Sequence, residues 1–465
     1  MRQILEKEFK NYSLLYQDIK EISYLYDIYN GPGQKWRSDE TDYLAVVKIS
    51  NYIKKLIKEE ARFMFGKTPI INVLNKEGDS IEELQKTFDD ILTKNLFNAK
   101  ILKGARDCFI GKRVAIKVNF IDNEPIITFV PATNFMFSTQ EDLQNKLQKV
   151  IFYQKTLSAI SQNAERWWVQ KYEIINNKCY LTELVTDGTG KIIETKANQL
   201  NTGFDEIPCY IIINDGLSHD LIGESDVKEI LDNAFMYNRM ASEDLDTLRK
   251  GMNRIIYATD VDEGAVENFS LKPGAFWDVV TDPTAEGKQA TIGTINTDFG
   301  YDSRIENALK RIKNDMYEAL NIPMISNEDL KGMMTSGKSM KALYWQLITR
   351  CEEKFTVWRP ALIWLADFIL KYLNAKDYVI EVENQYPLQE DEQEEMTLDI
   401  QQVNTQLMSR RAYMRKWLNL KDEAIDEELK QIQLEKQLLE DSISQFEVDD
   451  EEQEIEEDPA EEDDN

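Results

Sequence analysis

Residues 223–250 read GESDVKEILDNAFMYNRMASEDLDTLRK, and residues 302–320 read DSRIENALKRIKNDMYEAL. In the first stretch Val227, Ile230, Leu231, Ala234, Tyr237, Ala241, Leu245 and Leu248 recur at threes and fours. That spacing predicts an amphipathic helix over about 225–250 with one buried stripe. The second stretch places Ile305, Leu309, Ile312, Met316 and Ala319 on one face, which predicts a partner helix. Between them 253–297 reads as strand-rich, with turn signals at Lys272-Pro273-Gly274 and Asp282-Pro283. A loop over Asn321–Thr335, holding Pro323 and Gly332, leads into a long helix expected over Ser336–Leu373. Pro360 removes one backbone bond from that helix and is expected to kink it. At 1.5 Å per residue the three helices would span roughly 39, 29 and 57 Å.

Upstream, residues 1–30 read as a Tyr- and Leu-rich helix stopped by Gly31-Pro32-Gly33, and Thr41–Phe65 as a second helix ended by Gly66 and Pro69. Val46, Val47, Ile49, Ile53, Leu56 and Ile57 would be its buried face. Ile70–Leu74 reads as a short strand, followed by helices over Ser80–Leu92 and Phe97–Phe109. Ser80 with Glu83 three residues on matches a capping box. From Arg113 to Thr195 the period shortens to that of strands separated by turn residues, predicting an antiparallel sheet of hairpins. Tyr378–Val382 reads as a last strand, and Asp391–Met408 and Ser409–Gln445 as charged helices.

Composition bounds the function. The 465 residues suffice for about three domains. No apolar run approaches the ~20 residues of a membrane span, and Met1–Lys10 does not read as a signal peptide. Cys108, Cys179, Cys209 and Cys351 lie far apart, and with a single histidine, His219 in a loop, no metal site or cofactor is expected. No catalytic set stands out either. Net charge is −29; the nineteen residues from Glu447 hold thirteen acids and no base, leaving −16 on the rest. That tail is expected to be disordered. An acidic body excludes a protein that grips DNA by neutralising phosphates, but it suits a conduit through which DNA passes without sticking.

The order of elements resembles the portal proteins of long-tailed bacteriophages, the rings through which DNA enters and leaves a capsid. The resemblance rests on Gly223-Glu224-Ser225-Asp226, Tyr237-Asn238, Ile322-Pro323 and Thr335-Ser336-Gly337. Asn51, Phe65-Gly66-Lys67-Thr68-Pro69 and the run Leu407-Met408-Ser409-Arg410-Arg411-Ala412 add to it. It implies an α+β, predominantly helical fold with helical stem, α+β wing, small β-containing clip and helical crown, assembled as a ring. In this numbering it implies a wing over 1–222, stem helices over 223–250 and 300–321, and a clip over 251–299. A tunnel loop over 322–335, a long kinked helix and short strand over 336–384, a crown over 385–446 and the acidic tail complete the chain. It further implies a homo-oligomer, typically of twelve subunits, in the virion at one capsid vertex, made in the host bacterial cytoplasm. The implied partners are double-stranded DNA passing without sequence specificity, the terminase large subunit, a head-completion adaptor, and major capsid and scaffolding proteins; no membrane is implied. On this resemblance Asn327, Lys331, Met333, Met334, Thr335 and Lys338 would face the DNA. The stem charges Glu243, Asp246, Lys250, Arg304, Lys310 and Arg311 would line the bore or bridge subunits.

Two other readings compete. Gly332-Met333-Met334-Thr335-Ser336-Gly337-Lys338-Ser339 satisfies the phosphate-loop pattern, and Leu362–Asp367 imitates the apolar run whose Asp holds magnesium. A phosphate loop needs a buried strand feeding it. Here Ser326–Lys331 is polar and the Asp367 run continues helix-like, so no ATP hydrolysis is expected. The other is an acidic scaffold without a channel. Lys100, Lys103, Arg106, Lys112 and Arg113 could meet capsid or DNA, or be ordinary surface; Trp167 and Trp168 read as strand packing.

Overall fold

The computed structural model describes residues 2–9, 12–31, 33, 47–140, 145–157, 165–218, 220–252, 255–261, 281–284, 287, 289–295, 302–324, 337–388, 392–418, 424–435 and 437–438. It divides into two compact units, residues 1–329 with 343–387, and residues 330–342 with 388–465.

The larger unit opens with α1 (Arg2–Glu8), α2 (Tyr12–Asn30) and α3 (Tyr52–Phe65). The helix expected from Thr41 starts only at Tyr52, because Asn51 caps it: its side-chain oxygen accepts the Lys54 N–H at 2.9 Å. Residues 47–50 are not helical, and Val47 is exposed rather than core. Next come β1 (Ile70–Leu74), α4 (Glu82–Lys94) and α5 (Phe97–Gly111). The capping box expected at Ser80 does not form, since Ser80 pairs by its backbone with Leu74 and helix begins after Ile81.

The strand region is not one sheet but two. β2 (Arg113–Ile121), β3 (Glu124–Pro131) and the later β9 (Cys209–Ile213) make a three-stranded sheet with β2 central. Asp122 and Asn123, both at positive φ, form the tight turn between β2 and β3. β4 (Phe135–Thr139), β5 (Leu147–Leu157), β6 (Glu165–Ile175), β7 (Lys178–Asp187) and β8 (Ile192–Asn201) form a five-stranded antiparallel meander, and β9 (Cys209–Ile213) then returns to β2. The runs Phe135-Met136-Phe137 and Val150-Ile151-Phe152-Tyr153 do not alternate with polar residues because both faces of the meander are covered. Phe135, Phe137, Val150 and Phe152 pack with Ala115, Cys209 and Ile22, while Met136, Ile151 and Tyr153 pack with Leu5 and Phe9. Trp168 packs against the first of these clusters and Trp167 against the second, as strand packing requires.

The decisive pair follows. α6 (Asp226–Met252) packs against α7 (Asp302–Ala319), and between them in sequence β10 (Ile255–Thr259) pairs with β11 (Thr291–Ile295). The long helix read over 336–373 is two helices, α8 (Gly337–Leu343) and α9 (Trp345–Tyr372). Tyr344 separates them and stacks on Phe63, centroids 5.3 Å apart. α9 stays helical across Pro360. Its buried Trp358 meets Phe65 at 4.7 Å, and Phe368 and Tyr372 meet Phe120 of β2. β12 (Val379–Glu383) closes the unit by pairing antiparallel with β1.

In the smaller unit α10 (Glu392–Asn404) and α11 (Arg410–Trp417) are joined through Asp399, which accepts from Lys416 and from the Trp417 indole, each at 2.8 Å. Ser409 caps α11 by accepting the Ala412 N–H. The helix expected over Ser409–Gln445 therefore ends at Trp417, and a separate helix runs over 424–435.

Candidate functional site

The sequence motif that opens α6 is a mechanical joint. Gly223 sits at φ +77°, and a Cβ there would lie 2.6 Å from the Lys112 carbonyl oxygen and 2.7 Å from that of Asn214. Only glycine fits both demands. Glu224 donates its N–H to Asn214 at 2.8 Å. The Ser225 hydroxyl donates to the Ile110 carbonyl at 2.7 Å, tying the last turn of α5 to the first turn of α6.

Asp226 is 1% exposed at the side chain and accepts from Lys354 through both oxygens, at 2.7 and 2.8 Å. It also accepts from Asn214 at 3.1 Å and Arg350 at 3.3 Å. A carboxylate in the first turn is favoured by the helix dipole as well. Arg350 extends the cluster by gripping Glu229 with two nitrogens, at 2.6 and 3.1 Å, and donating to Glu60 of α3 at 2.8 Å. Burial works against the Lys354 ammonium, yet Asp226 and Glu60 beside it hold its pKa above the ordinary lysine value. Arg350 is likewise held up by Glu60, Glu229 and Asp226 against the cost of burial. These ion pairs join α3, α6 and α9, elements nearly three hundred residues apart.

A second ionic group clasps the same helix start from the other side. Lys112 pairs with Asp18 at 2.9 Å and Glu21 at 2.7 Å, Arg113 pairs with Asp18 at 2.6 Å, and Lys228 of α6 pairs with Glu21. Lys112 and Arg113 are 4% and 2% exposed, so they are not the surface patch their charge suggested. Lys100 is also turned inward, donating to the Ile127 carbonyl at 2.6 Å.

Tyr237-Asn238, the next motif, straps the segment before α3 onto α6. Asn238 accepts the Ser50 N–H at 2.8 Å, Ser242 accepts the Lys48 N–H at 3.0 Å, and Tyr237 meets Tyr52 edge-on at 5.0 Å. Asn51 reaches back to the Tyr29 carbonyl at 2.9 Å. None of these roles was visible in residue type alone: polar residues spaced over three hundred positions give no local period. The one sequence signal was a glycine immediately before an acidic helix start.

Along α6 and α7 burial fades with distance from the joint. Val227, Ile230, Ala234 and Ala241 are buried and Leu245 is half-buried, whereas Leu248 is 44% exposed. On α7, Met316 and Ile312 are buried and Leu309 and Ile305 half-buried. Of the charges singled out on these helices, Glu243, Arg304, Lys310 and Arg311 are exposed and Asp246 is half-buried; Glu243 pairs with Arg239 one turn away. The Lys250 side chain lies outside the described residues, as do Asn327, Lys331, Met333, Met334, Thr335, the Lys338 side chain and His219.

The phosphate-loop reading loses its magnesium ligand. Leu362–Asp367 lies within α9, not on a strand, and Asp367 accepts from the Tyr378 hydroxyl at 2.9 Å and pairs with Lys371. Among the described residues no cluster of His, Cys, Asp or Glu is arranged to hold a metal ion, and no helix is long and apolar enough to cross a membrane. The four cysteines are free and buried. Among known families, that of phage portal proteins, SPP1 Gp6-like, matches the chain over residues 11–440. No curated protein matches it.

Proposed function

This chain belongs to the SPP1 Gp6-like family of phage portal proteins, and on that premise we propose how its parts serve the channel. A portal stands at a capsid vertex of the virion as the ring through which double-stranded DNA is packaged and ejected, and that is the role of this protein. In our reading twelve copies close the ring, with each α6–α7 pair standing as a stave of the stem and β10–β11 belonging to the clip at its far end. Residues 1–222 with α9 and β12 form the wing, 322–335 the tunnel loop, and 385–446 the crown.

The observation that supports this best is the fading stripe. The helix pair is anchored at its foot by two buried ionic groups, yet its apolar residues become exposed toward the far end, where neighbouring staves would cover them. Charge is in keeping with the same arrangement: toward its far end α6 carries Glu243, Asp244 and Asp246 beside Arg249 and Lys250, while α7 carries Arg304, Lys310 and Arg311 beside Glu306. Opposite signs at one height allow each subunit to bridge to the next. Asn327, Lys331, Met333, Met334, Thr335 and Lys338 are proposed to touch passing DNA as a ring of weak contacts. The packaging terminase and later the head-completion adaptor would dock on the clip, capsid and scaffolding proteins would meet the wing, and the phage would be of the long-tailed type. The protein would be made in the host cytoplasm.

The chain itself would be structural, with translocation driven by ATP spent in the terminase. Native mass measurement and electron micrographs test the reading. Twelve chains of 54.2 kDa give a ring of about 650 kDa with a central opening; a monomer or dimer, the outcome expected of a scaffold without a channel, would refute it. ATP turnover abolished by Lys338→Ala would revive the enzyme reading.

A further inference from the structure

The ionic cluster at the foot of α6 does not balance. Among the described residues the cations paired with Glu60, Asp226 and Glu229 are Arg350 and Lys354, so with every group ionised the cluster carries one excess negative charge. We propose that Glu60 holds a proton in the native chain, making this joint a proton-binding site whose grip slackens as pH rises.

The choice among the three acids follows from their surroundings. Glu229 is 34% exposed and held by two guanidinium nitrogens, so water and Arg350 stabilise its charge. Asp226 has Lys354 on both oxygens, with Asn214 and Arg350 besides. Glu60 is fully buried; one of its oxygens accepts from Arg350, and the other, Oε2, meets no hydrogen-bonding partner among the described residues. An ionised carboxylate with an unpartnered buried oxygen is the costliest member of such a set, and neutralising it is the least expensive correction.

Every other element packed around Glu60 leaves that reasoning intact. Beside it on α9 are Arg350, Lys354 and the Cys351 thiol, and on α6 Asp226; the Cys108 thiol of α5 lies near Lys354 and Asp226. Burial pushes both thiols up, so they stay neutral. Asp107 on α5 has Arg106 beside it to offset its charge, so that pair leaves the imbalance as it stands. Burial pushes the Glu60 carboxyl above the ordinary value of 4.5 and Asp226 pushes the same way, opposed by Lys354 and Arg350.

The sign of the pH effect is fixed by linkage. A native carboxyl with a raised pKa keeps a proton that the unfolded chain releases above about 4.5, so stability falls as pH climbs from there to the native titration point. Glu60→Gln supplies a neutral side chain that still accepts from Arg350 and does not titrate. The proposal expects this variant to fold like the wild type near neutral pH. The folded-to-unfolded ratio of the wild type should fall relative to the variant by up to tenfold per pH unit across that window.

A wild type that instead gains on Glu60→Gln as pH rises would mean an ionised Glu60 and would overturn the proposal; so would a variant that cannot fold at neutral pH. Infrared difference spectra of the wild type, with 13C-labelled glutamate, give a direct reading. A protonated glutamic acid carbonyl band at neutral pH, lost in Glu60→Gln, is expected, and its absence from the wild type would overturn the proposal whatever the variant does. The measurement reads a joint within one chain, so it stands or falls separately from the portal reading.

Discussion

Replacing Gly223 by alanine should cost far more than a positive φ alone would. A non-glycine residue held in the left-handed region costs of order 1–2 kcal/mol. At Gly223 the added methyl would also sit 2.6 and 2.7 Å from two carbonyl oxygens, those of Lys112 and Asn214. Both belong to backbone fixed by other bonds: the Lys112 oxygen accepts from Asn214 and the Asn214 oxygen from Glu224. Neither can swing aside, so an overpacking cost of roughly 1–3 kcal/mol is added. The expected total is about 2–5 kcal/mol. Gly203 provides a matched control, because it has φ +84° with nothing within 4 Å of its would-be Cβ. Gly203→Ala should therefore show only the conformational part. Denaturant unfolding of the two variants beside the wild type measures both, and hydrogen exchange locates the damage. Loss of protection should concentrate at Arg113, Asn214 and the first turn of α6. If the two substitutions destabilise equally, the close approach is not what the glycine serves, and the joint as described is wrong.

Other outcomes follow from the same contacts. Lys354→Met leaves Asp226 buried without its main partner and should cost about 3–5 kcal/mol in unfolding free energy. Lys76→Ala, which breaks an ion pair whose side chains are 73% and 75% exposed, should leave stability unchanged within error. Lys117 is buried among Phe152, Trp168 and Tyr172, and burial pulls its pKa down to about 8. The native chain then sheds a proton that the unfolded chain keeps up to its ordinary value, so stability should rise between about pH 8 and 10; Lys117→Met should flatten that rise in denaturation midpoints. Reversing Arg304, Lys310 and Arg311 to glutamate should weaken the ring at low salt in native mass spectra. Adding Glu243→Lys and Asp246→Lys should restore it, and no restoration would remove the proposed bridges. Substituting Lys331 and Lys338 together should slow DNA packaging; unchanged packaging would take them out of the channel's mechanism.

The helix pair was legible because a stripe repeating at threes and fours needs no tertiary information, and α6 and α7 start within a residue of the expected positions 225 and 302. The hairpin of β2 and β3 was legible for the matching reason at period two, aided by Asp122-Asn123 in its turn. The errors are tertiary. Thr41–Phe65 reads as one helix, but Ser242 and Asn238 take the N–H groups of Lys48 and Ser50, and no local pattern reports residues nearly two hundred positions away. Lys112 and Arg113 look like surface because their type usually is; Asp18 and Glu21 of α2, more than ninety positions earlier, reverse that. The joint itself could be read only in part. Gly223 and Asp226 stood out as a helix-opening motif, but their partners on α3 and α9 carry no shared signal.

The pairing of Ile70–Leu74 with Val379–Glu383 bears on how the chain is made. Some three hundred residues separate the two strands, so at about 5–20 residues per second a ribosome needs roughly 15–60 s between them. Throughout that interval the first strand waits on the nascent polypeptide with its hydrogen-bonding edge unsatisfied, and Glu60 waits for Arg350 and Lys354. Such an edge invites pairing with the wrong chain, and many copies would be emerging side by side from one polysome. If the chain closes into a circle with its own kind, as proposed, keeping that edge shielded until β12 emerges guards each subunit against pairing with the wrong copy.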